Sequence, residues 1–259
     1  MGDRSVRSQT IDIGTSEGRE QPMQTGKTNC AQCHHRGQCV WHSLPVAPDI
    51  ELTPRVYRRG RPVYRAGEPC EGLYVVRSGA IKTYWIGPDG TEQILGFHGP
   101  GSVFGVEALA EGKHANHADS LDTSSICVIP TSELLRACAS SPPNVLALLQ
   151  SVSDFAKNKE RTQIWLGTHN AEQRLAAFLL EEAESQKARG QEHGDIQLPM
   201  ARRDIAKHLA LAVETLSRLF AKLEASGTVA VDPEDRRRIR IASFERLGAM
   251  AAAPEAAVR

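Results

Sequence analysis

Ala201-Arg202-Arg203-Asp204-Ile205-Ala206-Lys207-His208-Leu209-Ala210-Leu211-Ala212-Val213-Glu214-Thr215-Leu216-Ser217-Arg218-Leu219-Phe220 is the stretch that decides the fold. Residues 200–209 read as a short helix and Ala210-Leu211-Ala212 as a turn. Residues 213–225 read as a second helix whose inward face carries Leu216, Leu219, Phe220 and Leu223. The first turns of that helix leave Glu214, Thr215, Ser217 and Arg218 exposed, and Ser226-Gly227 stops it. Residues 228–231 and 238–241 then form a hairpin around residues 232–237.

Helix, tight turn, helix and wing is the winged helix-turn-helix plan, whose second helix enters the major groove of double-stranded DNA. Formal net charge over the whole chain is zero, so bulk charge does not announce a nucleic-acid partner. A local patch does: from Ala201 to Arg240 nine Lys/Arg stand against six Asp/Glu. Arginine can bond guanine O6 and N7 together, and glutamate accepts from cytosine N4. Arg218 and Glu214 are therefore the expected sequence readers, with Ser217 and Thr215 beside them. Arg236 and Arg237, with Arg238, cluster in the wing, where phosphate contacts form. Alone, these charges would read as the solvated face of a surface helix; the turn, the wing and the helix upstream favour DNA.

That upstream helix follows Pro142-Pro143. Val145, Val152, Lys159 and Leu166 recur every seven residues, and Leu148, Phe155 and Thr162 fill the second series. This is the seam of a helix that pairs with its twin in a homodimer; a lone amphipathic helix packing on its own domain would show a similar pattern. Lys159 at a seam position would face another Lys159 and weaken the pair. A further helix runs from Asn170, with Ala171, Leu175, Phe178 and Leu179 on one face, and ends near Gly190.

Between residues 63 and 130 the pattern is short strands and turns. Leu73-Tyr74-Val75-Val76, residues 81–86, 93–97 and 124–130 read as strands of an antiparallel β-roll. Alternation places Ile126 and Val128 on one face of the last strand and Cys127 and Ile129 on the other. His114 and His117 read as part of a surface loop, and residues 49–61 as a short helix or irregular.

Near the N-terminus stands Cys30-Ala31-Gln32-Cys33-His34-His35-Arg36-Gly37-Gln38-Cys39, a C-x2-C-x5-C spacing. Three thiolates this close suit an iron–sulfur cluster or zinc, and both centres want a fourth ligand. His34 and His35 are local candidates; Cys70, Cys127 and Cys138 are the remote thiols. Six cysteines in 259 residues are too dilute for a disulfide framework. The chain is 41% hydrophobic and 24% charged, ordinary for a soluble globular protein. No run approaches the ~18 apolar residues of a membrane span, and no signal peptide precedes the cysteines, so a cytoplasmic protein is expected. No phosphate-cradling loop, nucleophile elbow or zinc-protease helix points to an enzyme.

The combination resembles FNR-type regulators of the Crp–Fnr superfamily, bacterial oxygen-sensing transcription factors. The resemblance runs from about Cys30 to Leu247. It rests on the cysteine spacing, residues 121–130, residues 73–82 and 92–98, the Asn170-Ala171-Glu172-Gln173-Arg174-Leu175 segment, and Val213-Glu214-Thr215-Leu216-Ser217-Arg218. It implies an α+β chain: a cluster loop and β-roll at 30–140, a dimerisation helix at 141–169 and a winged helix-turn-helix domain at 170–248. Outside it, the polar composition of residues 1–29 reads as a flexible extension and residues 249–259 as an alanine-rich tail. The resemblance also implies a 4Fe–4S cluster on Cys30, Cys33, Cys39 and Cys127, palindromic sites with TTGAT-type halves read through Glu214, Ser217 and Arg218, and RNA polymerase as a partner. Two alternatives stay open: gating by a small ligand such as a cyclic nucleotide, although the Arg-Ser phosphate clamp of such relatives is absent, and a structural zinc site.

Overall fold

The computed structural model describes residues 23–24, 28–30, 33, 39–46, 50–190 and 194–252. Strands β1 (Met23–Gln24), β4 (Arg55–Tyr57), β6 (Gly72–Ser78), β9 (Val103–Phe104) and β11 (Ser124–Pro130) form one antiparallel sheet in the order β1-β4-β11-β6-β9. A second antiparallel sheet, in the order β5-β10-β7-β8, holds β5 (Pro62–Tyr64), β7 (Ile81–Ile86), β8 (Glu92–His98) and β10 (His117–Ser120). Tyr57, Tyr64, Tyr74, Val76, Ile81, Phe104, Ala118 and Ile126 fill the roll.

The alternation expected of β11 holds. Ile126 and Val128 join that interior. Ile129 and Cys127 join a separate apolar cluster on the outer face, with Leu73 and Val75. That outer face is covered by α1 (Val40–Ser43) and α2 (Thr131–Ser140) through Val40, Trp41, Leu134 and Ala137. The turn from β6 to β7 needs Gly79: its φ is 83°, and a Cβ there would stand 2.3 Å from Ser124 Oγ.

Several boundaries differ from the sequence reading. Residues 49–61 contain β3 (Glu51–Leu52) and β4, so strand pairing replaces the short helix. Within the stretch expected to stay mobile, β1 pairs with β4 and β2 (Thr28–Asn29) pairs with β3. Tertiary partners order a polar sequence that has little apolar surface of its own. The tail opens inside α7 (Phe244–Ala251), capped by Ser243.

Helix α3 (Pro142–Thr168) runs 27 residues. Its outward row differs from the expected seam. Val145, Leu149 and Val152 are exposed, and Leu146 is 70% exposed beside them. Leu148, Phe155, Thr162 and Leu166 are partly buried against their own chain. Lys159 is corrected outright: its Nζ donates to the Leu95 carbonyl at 2.6 Å and lies over the Phe155 ring, so it turns toward β8 and not toward a twin. A straight helix drifts ~20° per heptad from a strict seven-residue repeat, and here the inner half of the apolar stripe packs at home.

The C-terminal half is built on α4 (Ala171–Ala188), whose Asn170 cap and Gln173 form a reciprocal capping box. Then come β12 (Asp195–Gln197), α5 (Arg202–His208), α6 (Val213–Ala225), and the wing strands β13 (Val229–Val231) and β14 (Arg238–Ile241). β12, not foreseen, adds to the wing in the order β12-β14-β13. Its core also takes in Ala80 and Leu121 of the roll. Lys82 Nζ bonds both Glu92 (2.8 Å) and Asp204 (3.2 Å), and Lys207 Nζ reaches Glu92 at 2.7 Å, so charges cross from the β7–β8 hairpin to α5. Among the described residues no helix is long and apolar enough to cross a membrane.

Candidate functional site

The cysteine loop is fastened at both ends. Upstream, β2 pairs Thr28 with Leu52 and Asn29 with Glu51, and the Cys30 N–H continues onto the Ile50 carbonyl. Downstream, Cys39 precedes α1, its carbonyl accepting from the His42 and Ser43 N–H groups, and Trp41 is buried to 1% exposure. Past α1, Val46 exchanges two hydrogen bonds with the buried Asn144 side chain, N–H to Oδ1 at 3.0 Å and Nδ2 to carbonyl at 2.9 Å. Asn144 lies in the first turn of α3, so the exit of the loop is tied to the long helix. Nothing in the sequence pattern singled out Asn144, because its partner is a backbone group 98 residues away.

Cys127, in mid-β11 opposite Val75, faces the same side. Cys30, Cys39 and Cys127 are all partly buried against one apolar cluster. Burial pushes the Cys127 thiol up to about 12; neighbouring Cys30 and Cys39 add to this, Arg77 opposes it, and Cys33 adds a little more. Cys39 is also raised, mainly by burial, with backbone N–H groups opposing and Cys33 adding. The four thiols thus share one neighbourhood, and all six cysteines of the chain are unbridged. Among the described residues, no three or more His, Cys, Asp or Glu side chains stand so that they could hold a metal ion as placed. The donor chemistry, cysteine sulfurs with Cys30, Cys39 and Cys127 against one apolar wall, fits a soft centre. His34 and His35 lie outside the described residues. Cys70 donates to the Gly72 carbonyl, and Cys138 rides on α2.

The helix-turn-helix forms as expected. Ala210 takes a positive φ of 52° in the turn between α5 and α6. Glu214, Ser217 and Arg218 are exposed on α6, and Thr215 is partly buried. Ser217 donates back to the Val213 carbonyl at 2.9 Å. In the wing, Asp232 Oδ1 accepts from the Glu234 and Asp235 N–H groups, and Asp235 Oδ1 from that of Arg237. This leaves Arg236 and Arg238 exposed and Arg237 partly so. One residue escaped the sequence reading. The Arg202 guanidinium lies 3.4 Å over the Phe220 ring and donates to the Arg236 carbonyl at 3.1 Å, joining α5, α6 and the wing. Burial, helped by Arg236, lowers its pKa to about 10. His114 also departs from expectation: it is buried at 2% exposure, not on a surface loop, because closure of the roll stacks it on Tyr64.

A β-roll joined through a long helix to a winged helix-turn-helix defines a DNA-binding regulator. Residues 54–141 match the family of the cyclic nucleotide-binding domain, and residues 173–250 the Crp-like helix-turn-helix domain. The chain belongs to the Crp–Fnr family of transcriptional regulators, which are not enzymes. It is similar to the anaerobic regulatory protein of Pasteurella multocida, at 32% identity over 232 residues, 87% of this chain and 85% of that one. It is also similar to the fumarate and nitrate reduction regulatory protein of Escherichia coli, at 34% over 209 residues, 78% and 83% of the two chains. Among solved structures, FixK2 from Bradyrhizobium japonicum aligns with a TM-score of 0.71 at 32% identity, covering 78% of this chain and 98% of that one.

Proposed function

We propose that this FNR-like regulator senses oxygen through a 4Fe–4S cluster on Cys30, Cys33, Cys39 and Cys127, acting in the cytoplasm as a homodimer on TTGAT-type palindromes. The observation that carries the reading is the packing of Cys30, Cys39 and Cys127 against one apolar wall. When bound, the cluster supplies an oxygen-labile crosslink between the loop and β11. Cys127 anchors its end on a central strand, paired to β6 and β4. Trp41 and Leu44 seat α1, and Asn144 hands the position of the loop to the start of α3. Helix α3 then presents Val145, Leu149 and Val152 to a second copy. Differential stability of a few kcal/mol between paired and separate states is enough to shift most of the population.

On DNA, Arg218 and Glu214 read base edges, Ser217 and Thr215 add short contacts, and Arg236 and Arg237 bind phosphates. RNA polymerase is the partner at the promoter. Nucleotide gating is less supported: where an Arg-Ser clamp would stand, the chain has Ala115-Asn116-His117, and His114 is packed between Tyr64 and Tyr74.

The test is purification without oxygen, with visible spectrum, iron and sulfide recorded before and after air. A brown protein with about four iron and four sulfide per chain, bleaching in air and absent in Cys127→Ala, is expected. A colourless zinc protein, or a Cys127→Ala variant as brown as the parent, sinks the sensing half and leaves DNA binding intact.

A further inference from the structure

We propose that the interior of the β-roll holds a second site, independent of the thiols, in which His114 and Glu107 bind one divalent first-row metal ion. Both ring nitrogens of His114 are buried without a hydrogen-bond partner, and so is Glu107 Oε1. His114 Nδ1 and Glu107 Oε1 face each other at 3.7 Å. That is too long for a hydrogen bond. It matches two donors sharing an ion: with metal–ligand distances of ~2.0–2.2 Å and tetrahedral to trigonal angles, nitrogen and oxygen stand roughly 3.3–3.8 Å apart. Buried polar groups left unpaired in this way call for a water or an ion.

The pair is held in place from several sides. The His114 N–H donates to the Glu68 carbonyl at 2.9 Å, and the His114 carbonyl accepts from Gly67 N–H at 2.8 Å. Its ring stacks on Tyr64 with centroids 3.5 Å apart and planes 6° off parallel, and meets Tyr74 edge-on at 5.5 Å. Glu107 sits in the 3₁₀ turn Val106–Ala108 behind Gly105, whose φ is 77°. A Cβ on Gly105 would come within 2.8 Å of Tyr74. The Glu107 side chain is 24% exposed, so the side away from His114 opens to solvent. Imidazole and carboxylate suit zinc, cobalt(II) or iron(II). No third His, Cys, Asp or Glu completes a protein ligand set among the described residues, so water fills the shell. The aromatic neighbours Tyr64, Tyr74 and Phe104 belong to the roll interior, whereas the thiols face the outer cluster.

The experiment uses the full chain carrying Cys30→Ser, Cys33→Ser, Cys39→Ser and Cys127→Ser, so that those thiols do not compete. It is titrated with cobalt(II) by visible absorption and with zinc(II) by calorimetry. One equivalent is expected to bind, weakened ~10-fold or more by His114→Gln and by Glu107→Gln, and unchanged by His117→Gln. No binding at millimolar metal, or equal binding by the parent and both variants, overturns the site and shows a water-bridged or ion-paired His114–Glu107 contact only. Should a variant fail to fold, nitrogen-15 spectra of the parent decide. Zinc must shift the His114 ring nitrogens and spare those of His117; an unmoved His114 overturns the proposal.

Discussion

His208 Nδ1, on the first helix of the helix-turn-helix, stands 3.2 Å from the Ile94 carbonyl oxygen on strand β8. In its Nδ1–H tautomer the ring donates across the boundary between the two halves, packed edge-on to Phe97. Burial holds its pKa down to about 4; the Ile94 carbonyl pulls the other way, and the Lys159 ammonium adds to burial.

This burial makes docking acid-sensitive. The folded pKa lies below the unfolded value of 6.5, so the imidazole contributes stability that is present above about pH 6.5 and lost as pH falls toward 4. At ~1.36 kcal/mol per pKa unit the loss is on the order of 3 kcal/mol. Unfolding free energies at pH 7 and pH 4.5 should differ less in His208→Gln than in the parent. Equal losses would remove His208 from the account. His98, buried and lowered to about 3, supplies a residual acid sensitivity in both.

Lys82 joins two carboxylates from different halves of the chain, and Asp204 is only 6% exposed as a side chain. Removing the ammonium leaves a nearly buried carboxylate facing Glu92. Lys82→Met is therefore expected to cost ~2–4 kcal/mol, toward the lower part of what breaking a buried pair costs. Denaturant unfolding checks this. Adding Asp204→Leu should recover part of the loss, whereas strictly additive losses would show that the two residues are not coupled.

The DNA interface separates into readers and holders. Arg218→Ala should cost ~1–3 kcal/mol on the cognate site and relax discrimination at one base pair. Arg236→Ala should weaken all sequences alike and reduce the salt slope by about one. Arg202→Ala removes the stack on Phe220 and the bond to the Arg236 carbonyl, and should behave as a mixture of both by letting the wing shift. Binding titrations at several salt concentrations distinguish the three; an Arg202→Ala protein with parental affinity and slope would show that the wing needs no such tie.

Local periodicity carried most of the fold. The alternation in Ser124–Pro130, the helix start at Asn170 and the apolar face of α6 each reflect neighbours in sequence, and each is realised. What was hidden depends on distant partners. α2 starts directly from Pro130 with no side-chain cap, so it carried no start signal. β12 is three residues long and exists through its pairing with β14. The burial of His114, the Arg202–Arg236 bond and the Asn144–Val46 exchange join segments 34 to 98 residues apart or require the roll to close. Strand alternation fixed the side on which Cys127 emerges, the side that also packs Cys30 and Cys39.

The register of α3 gives the sharpest contrast between sequence pattern and packing. The seven-residue count placed Leu148 and Phe155 in an intermolecular seam, yet both are partly buried on their own chain, while Leu149 is 58% exposed. If α3 pairs with a second copy, the exposed row Val145, Leu149 and Val152 meets the partner, and Leu148 supports the monomer. Leu149→Asp should abolish dimers of the anaerobically purified protein while changing monomer stability by no more than ~0.5 kcal/mol, as for an exposed position. Leu148→Ala should do the reverse, lowering the melting temperature and sparing association. Sedimentation and thermal unfolding measured side by side decide it: dimers that survive Leu149→Asp and vanish in Leu148→Ala would restore the heptad register.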